Sequence, residues 1–124
     1  MMGIRVAAAA ALALAFSIPV AAQPARVTIA VWSFGFAPNP IHLTAGRPVT
    51  LVFQNRSGSN HDFTAVTFFG RSRIVGGAAP EGEIELRPHE TKVITLVPRA
   101  GVYKAHCSHF LHTQLGMDDT IVVD

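Results

Sequence analysis

The sequence predicts an all-β domain, a sandwich of two sheets with Greek-key connections. Short segments rich in β-branched and aromatic residues recur from residue 27 to residue 123, and Pro and Gly residues separate them. No heptad pattern, internal repeat or long amphipathic helix competes with this interpretation. The chain of 124 residues is long enough for one domain and too short for two ordinary ones.

Residues 1–22 are expected to be a cleaved signal peptide. Arg5 precedes an almost unbroken apolar run from Val6 to Val20, and the small residues Ala21 and Ala22 follow. The run is shorter than the roughly 20 apolar residues of a membrane-spanning helix, which makes an uncleaved anchor the less favoured alternative. We therefore expect residues 23–124 to form a periplasmic or secreted domain without stable membrane insertion.

Strands are expected wherever β-branched or aromatic residues cluster between turn residues. In chain order these segments are Val27 to Trp32, Ile41 to Thr44, Val49 to Gln54, Glu83 to Leu86, Lys92 to Val97, Val102 to Cys107 and Thr120 to Val123. His61 is expected to open a further strand after a polar Ser/Gly loop. The segment from Thr64 to Ala79 stays open, because Phe68 to Ile74 fits either a short helical turn or an irregular loop over one end of the core.

Strand alternation orients Cys107, the single Cys of the chain. Tyr103, Ala105 and Cys107 share one face of their predicted strand, and Lys104 lies on the other. Because Lys104 indicates a solvent-exposed face, Cys107 is expected to point into the core at the strand's end. One Cys forms no disulfide within the chain, so the alternatives are an inert thiol, an intermolecular bridge, a nucleophile or a metal ligand.

The number and distribution of charged residues argue against a nucleic-acid partner. Of the 10 Lys and Arg residues only Arg5 lies in the signal peptide, and the others nearly balance the 8 acidic residues. They are scattered along the chain, with no basic run interleaved with aromatic residues. We expect a monomer that interacts with other proteins rather than with nucleic acid.

Three donor side chains near the C-terminal end of the sequence favour the metal-ligand alternative. Cys107, His112 and Met117 follow one another at five-residue intervals on a loop between two predicted strands, and His61 offers a second imidazole. A trigonal His₂Cys set with a long, weak axial Met is the ligand pattern of blue-copper electron-transfer sites. Structural zinc is disfavoured because Met is a poor partner for Zn²⁺.

These residues give the chain a resemblance to plastocyanin-like cupredoxins, from about Val27 to Val123. The motifs that carry it are Gly101-x-Tyr103-x-x-x-Cys107-x-x-x-x-His112-x-x-x-x-Met117, Asn60-His61-Asp62-Phe63 and Phe36-x-Pro38-x-x-Ile41-x-Leu43-x-Ala45-Gly46. The resemblance implies a Greek-key sandwich of about eight strands that binds one copper ion, Cu(I) or Cu(II), at one end. It also implies a ligand set of His61, Cys107, His112 and Met117, with the ring edge of His112 near the surface as the electron port.

Two residues depart from the family pattern. Asp62 stands where many relatives have Asn; it could accept a hydrogen bond from Ser108, and its negative charge would favour Cu(II) and lower the potential. His109 stands where many relatives carry an apolar residue or Pro, and it is expected either to face solvent or to serve as a neighbouring or substitute ligand. The remaining imidazoles, expected to be exposed or locally bonded, are His42, His89 and His106.

The expected function is one-electron transfer to a redox partner protein, with no enzymatic activity. The main alternative is copper handling, in which the same site buffers the ion, confers resistance or exchanges the ion with a donor or acceptor protein. His106 and His109 support that alternative, whereas the isolation of Met117 opposes it, because handlers more often carry exposed Met-rich or His-rich tracts. A Cys–His enzyme is less favoured because no oxyanion device can be identified, and a metal-free adhesive sandwich remains an alternative.

Overall fold

The computed structural model describes residues 2–18, 23–109, 111, 112 and 114–124. Residues 2–18 are exposed and form neither helix nor strand. The cleavage point expected after Ala22 lies outside the described residues, so the signal peptide stays a prediction. Among the helices of the described residues, none has the length and apolar character needed to cross a membrane.

Short strands dominate the described chain. In order, the elements are β1 (Ala25–Trp32), β2 (Gly35–Ala37), β3 (Ile41–Leu43), β4 (Val49–Asn55), β5 (His61–Thr64), helix α1 (Val66–Arg71), β6 (Arg73–Gly76), a 3₁₀ turn (Pro80–Gly82), β7 (Glu83–Leu86), β8 (Thr91–Val97), β9 (Gly101–His106) and β10 (Asp118–Val123). Every strand expected from the sequence is present, with ends that differ by two residues at most.

The strands form two five-stranded sheets, in the orders β2-β1-β4-β8-β6 and β3-β10-β9-β5-β7. The pairs β1–β4 and β10–β3 are parallel and the others antiparallel. The predicted all-β sandwich is confirmed. The described residues contain ten strands rather than about eight, because β2 and β6 also pair at sheet edges.

The segment that the sequence pattern left open contains both a helix and a strand. Helix α1 buries Phe68 and Phe69 against the core, where the rings lie 5.2 Å apart in an edge-to-face arrangement. All four residues of β6 are exposed, so its sequence has no alternation of buried and exposed residues that would identify a strand. The interpretation as a short helical turn was therefore correct for the first half of the segment.

The core lies between the two sheets and reaches the end of the sandwich where β9 stops. Buried aromatic rings pack against one another within it: the ring centroid of Phe63 lies 5.2 Å from that of Phe36 and 4.9 Å from that of Phe53. Cys107 and Met117 belong to the same buried cluster as these rings. Apolar packing therefore continues directly into the loop that joins β9 to β10, and that loop is held against the core.

Candidate metal centre

Strand alternation in β9 places Cys107 as the sequence predicts. Tyr103, Ala105 and Cys107 are all buried, whereas Val102 on the opposite face is 70% exposed. Cys107 follows the last residue of β9, and β10 returns antiparallel beside β9 with Asp118 opposite His106. Cys107 and Met117 therefore lie next to each other, at the start and end of the loop that joins these neighbouring strands.

Three of the four predicted ligands converge at this end. His61 opens β5, which pairs with β9, and its Nδ1 lies 4.0 Å from Cys107 Sγ. His112 Nδ1 lies 3.3 Å from the same sulfur, and the two Nδ1 atoms are 3.2 Å apart. His61 and Cys107 are fully buried and His112 is half-buried. Residues far apart in the sequence thus present two nitrogens and one sulfur to a common point.

The triangle of donor atoms has the size that a metal ion requires. A point equidistant from the three atoms lies about 2.1 Å from each, close to the length of a metal–imidazole bond. A thiolate with two imidazoles suits copper or zinc, and a buried thioether beside them favours copper. The donor set therefore fits the metal that the resemblance implies.

Met117 is tied to the same loop through its backbone. Its carbonyl accepts a hydrogen bond from the Cys107 N–H at 3.1 Å, and its own N–H donates to the His112 carbonyl at 3.0 Å. The side chain is fully buried in the core cluster that contains Cys107. These contacts fix Met117 next to the donor triangle, and its role as the axial ligand stays a prediction.

Asp62 bridges β5 and the ligand loop. Oδ1 accepts hydrogen bonds from the Ser108 N–H and the Thr64 hydroxyl, each at 2.8 Å, and Oδ2 accepts the Ser108 hydroxyl. The backbone N–H of Asp62 also points at Cys107 Sγ, 3.5 Å away. The sequence-based expectation that Ser108 bonds to Asp62 agrees with this arrangement, which places a fully buried carboxylate directly behind the thiol.

His109 contacts this carboxylate rather than joining the donor triangle. Its Nε2 lies 3.0 Å from Glu85 Oε1 and 3.5 Å from Asp62 Oδ2, and its ring stacks on His112 at 5.5 Å. Burial, followed by the neighbouring Glu85 and Asp62, raises the pKa of Glu83 to about 7. The ring of His109 therefore lies beside a crowded group of carboxylates and contacts Glu85 and Asp62. His42 and His89 are exposed and His106 is half-buried.

Burial sets the proton affinities of the two buried donors. It lowers the pKa of His61, with smaller contributions from His112 and His109, so that this imidazole favours its neutral form. It also raises the pKa of Cys107, which opposes ionisation of the thiol. A bound cation reverses that preference, because metal ligation requires the thiolate.

Ser33 and Phe34, in the turn between β1 and β2, are contact residues that the sequence analysis missed. Ser33 Oγ lies 2.9 Å from His61 Nε2. The ring of Phe34 packs edge-on against His112 at 4.9 Å and His61 at 6.3 Å. The family motifs include neither residue, and the sequence predicted no strand at β2, so no local pattern indicated these contacts.

Comparisons with known proteins agree with the fold. A family model described as "Cupredoxin-like domain" matches residues 4–123, whereas no curated protein matches the chain. The structure of auracyanin B is 23% identical, with 85% of this chain and 93% of that chain covered and a TM-score of 0.60. Auracyanin A from Chloroflexus aurantiacus, a "blue" copper protein, is 20% identical over 82% of this chain and 100% of its own, with a TM-score of 0.60.

A larger protein also contains this fold. A multicopper oxidase from Campylobacter jejuni is 13% identical over 87% of this chain, with a TM-score of 0.64, but only 32% of the oxidase is covered. At such identities these structures establish a common fold alone. This chain corresponds to about a third of the oxidase.

Proposed function

Because the chain belongs to the cupredoxin-like family, we propose that it is an exported mononuclear type 1 copper protein that carries single electrons. Its ligands would be His61, Cys107 and His112, with Met117 in the axial position. The redox partner would be another protein, and the carrier itself would act as a monomer in the periplasm or outside the cell.

One observation carries this proposal: two imidazole nitrogens and one thiol sulfur meet at a point about 2.1 Å from each. The auracyanins, one of which is described as a "blue" copper protein, share the surrounding fold. The buried position of Met117 supports an axial thioether. Trigonal His₂Cys sites with a weak axial Met are those of blue-copper electron carriers.

The chain's own residues account for how such a site would work. Copper supplies the one-electron chemistry by alternating between Cu(I) and Cu(II). His61 and Cys107 are fully buried, so water is kept from the donor atoms on that side. The backbone bonds from Cys107 to Met117 and from Met117 to His112 hold these three residues close together. His112 is half-buried, and its ring is the predicted route for electrons to a docked partner.

Spectra of the copper-loaded protein test the assignment. We expect one copper per chain, strong visible thiolate-to-copper absorption and a paramagnetic resonance spectrum of the type 1 class when the protein is oxidised. Cys107→Ser should abolish the colour. The matched control His42→Ala removes an exposed imidazole on β3 and should leave it unchanged. A coloured Cys107→Ser protein would refute the assignment.

Copper handling remains the second candidate, because His109 stacks on His112 and offers a nearby nitrogen for ligand exchange. Cycles of reduction and reoxidation in the presence of a moderate Cu(I) chelator separate the two functions. An electron carrier should keep its copper through the cycles, since the scaffold holds the donors in place. Transfer of copper to the chelator on the first reduction would favour handling.

A further inference from the structure

The two imidazoles of the donor triangle, His61 and His112, differ in their surroundings. In His61, Nδ1 faces the cluster and Nε2 lies 2.9 Å from the hydroxyl oxygen of Ser33. His61 is fully buried, and the hydrogen-bond partner of its Nε2 is the hydroxyl of Ser33. His112 is half-buried and lies nearer to solvent.

Ligation dictates the direction of the Ser33 bond. A histidine that binds a metal through Nδ1 presents its lone pair there, so the ring proton must reside on Nε2. A buried N–H requires an acceptor, because leaving it without one is costly. We infer that Ser33 is a positioning residue whose hydroxyl oxygen accepts the Nε2–H of His61 and thereby fixes its tautomer and ring orientation. This inference rests on the proposed function, since it assumes that Nδ1 of His61 is a ligand.

The surrounding turn makes Ser33 effective in this role. Ser33 follows β1, and β2 begins at Gly35, where Trp32 pairs with Gly35 across the turn. The ring of the next residue, Phe34, packs against both imidazoles in edge-to-face arrangements. The turn therefore supplies the bond to His61, although Ser33 itself is exposed, and it links β1 in one sheet to a proposed ligand in the other.

Without metal, a second tautomer competes. His61 could carry its proton on Nδ1 and donate it to His112 Nδ1, 3.2 Å away, while the Ser33 hydroxyl donates to Nε2. The two arrangements use the same heavy-atom distances and differ only in the position of the protons. Imidazole ¹⁵N shifts and long-range ¹H–¹⁵N correlations distinguish them directly.

Isosteric variants of Ser33 test the inference. Ser33→Thr keeps the hydroxyl, and Ser33→Val has the shape of Thr but lacks the hydroxyl. The control Ser72→Ala removes a hydroxyl that donates to the Phe68 carbonyl, away from the donor triangle. Spectra of the ¹⁵N-labelled protein are recorded without metal and with Cu(I), which is diamagnetic. We expect a proton on Nε2 of His61 in the wild type, Ser33→Thr and Ser72→Ala, in both states. In Ser33→Val its exchange with solvent should be about tenfold faster, and the Cu(II) resonance spectrum should broaden while copper is retained.

Two results would overturn the inference: a proton on Nδ1 of His61 in the metal-free wild type, or the same exchange rate in Ser33→Val as in Ser33→Thr. Failure of the proposed function gives a different result, a wild-type protein that takes up no copper. The metal-free spectra would then still report the tautomer. The two ideas are therefore refuted by separate measurements.

Discussion

Replacement of Asp62 by Asn should raise the reduction potential of the copper-loaded protein. Asp62 is fully buried, and its carboxylate oxygen, the sulfur of Cys107 and a ring nitrogen of His109 all lie within 4.8 Å of one another. A negative charge beside the sulfur that would bind copper stabilises Cu(II) more than Cu(I). Asn retains an oxygen that can accept from the Ser108 N–H and an amide that can donate to the Ser108 hydroxyl, so the change removes the charge while the loop keeps its connection.

Coulomb's law gives the size of the effect. Two unit charges about 5 Å apart interact by about 3 kcal/mol at an effective dielectric constant of about 20. For a one-electron couple this corresponds to about 140 mV. The hydrogen bonds from Ser108 and Thr64 already disperse part of the charge. We therefore expect the potential of Asp62→Asn to rise by about 100 mV relative to the wild type.

Potentiometric titration of the visible absorption band measures the shift. Asp124→Asn is the matched control, because it removes one exposed carboxylate beyond the far end of β10, about 20 Å along the strand from Met117. Circular dichroism verifies that both variants are folded. A potential of Asp62→Asn equal to that of Asp124→Asn would refute the reasoning, because a buried charge so near the sulfur cannot be without effect on the couple.

Three further predictions concern the ligand loop and the last strand. Met117→Leu should keep copper and raise the potential, because a weak donor that helps Cu(II) is lost; loss of copper on dialysis would show instead that Met117 is a primary ligand. His109→Ala should leave the visible spectrum almost unchanged while His112→Ala disrupts it, since only His112 places a nitrogen 3.3 Å from the sulfur; bleaching by His109→Ala would reverse these roles. The metal-free protein should lose stability as pH rises, because Asp119 loses its proton. Burial raises its pKa from 3.8 to about 6, so the folded state holds this proton more tightly than the unfolded state. The contribution of this proton to the free energy of unfolding is about 3 kcal/mol. It is fully present below pH 3.8 and is lost as pH rises through about 6. Urea unfolding from pH 4 to 7 measures the slope, and an equal slope in Asp119→Ala would contradict the assignment.

The strands and the inward direction of Cys107 could be predicted because they depend on local pattern. In β9, Val102 and Lys104 alternate with Tyr103 and Ala105, and the structure buries only the second pair. Spacing was equally informative for Cys107 and His112, which lie on one loop. The approach of His61 depends on β5 pairing with β9, a contact between distant parts of the chain. For that residue the family resemblance supplied what the local pattern could not.

Other features have no local signal. Ser33 looks like an ordinary turn residue, and its contact with His61 exists only once two sheets are packed together. Asp119 precedes the last strand expected from the sequence, which begins at Thr120, yet it belongs to β10 and lies on the inward face between Met117 and Ile121. Its Oδ1 bonds to the Thr120 N–H, and its Oδ2 has no hydrogen-bond partner among the described residues. Polarity alone therefore misassigns a residue whose burial is imposed by strand register.

The position of β10 has a consequence for the order in which the protein can be assembled. This strand lies between β3, an early segment, and β9, so the second sheet stays open until residues 118–123 arrive. Met117 immediately precedes the strand, and its backbone bonds to Cys107 and His112 form as the strand docks. A chain in which β10 has not yet docked would therefore lack the backbone bonds that join Met117 to Cys107 and His112. If the proposed copper site is correct, its full set of ligands would come together only after this last strand has docked.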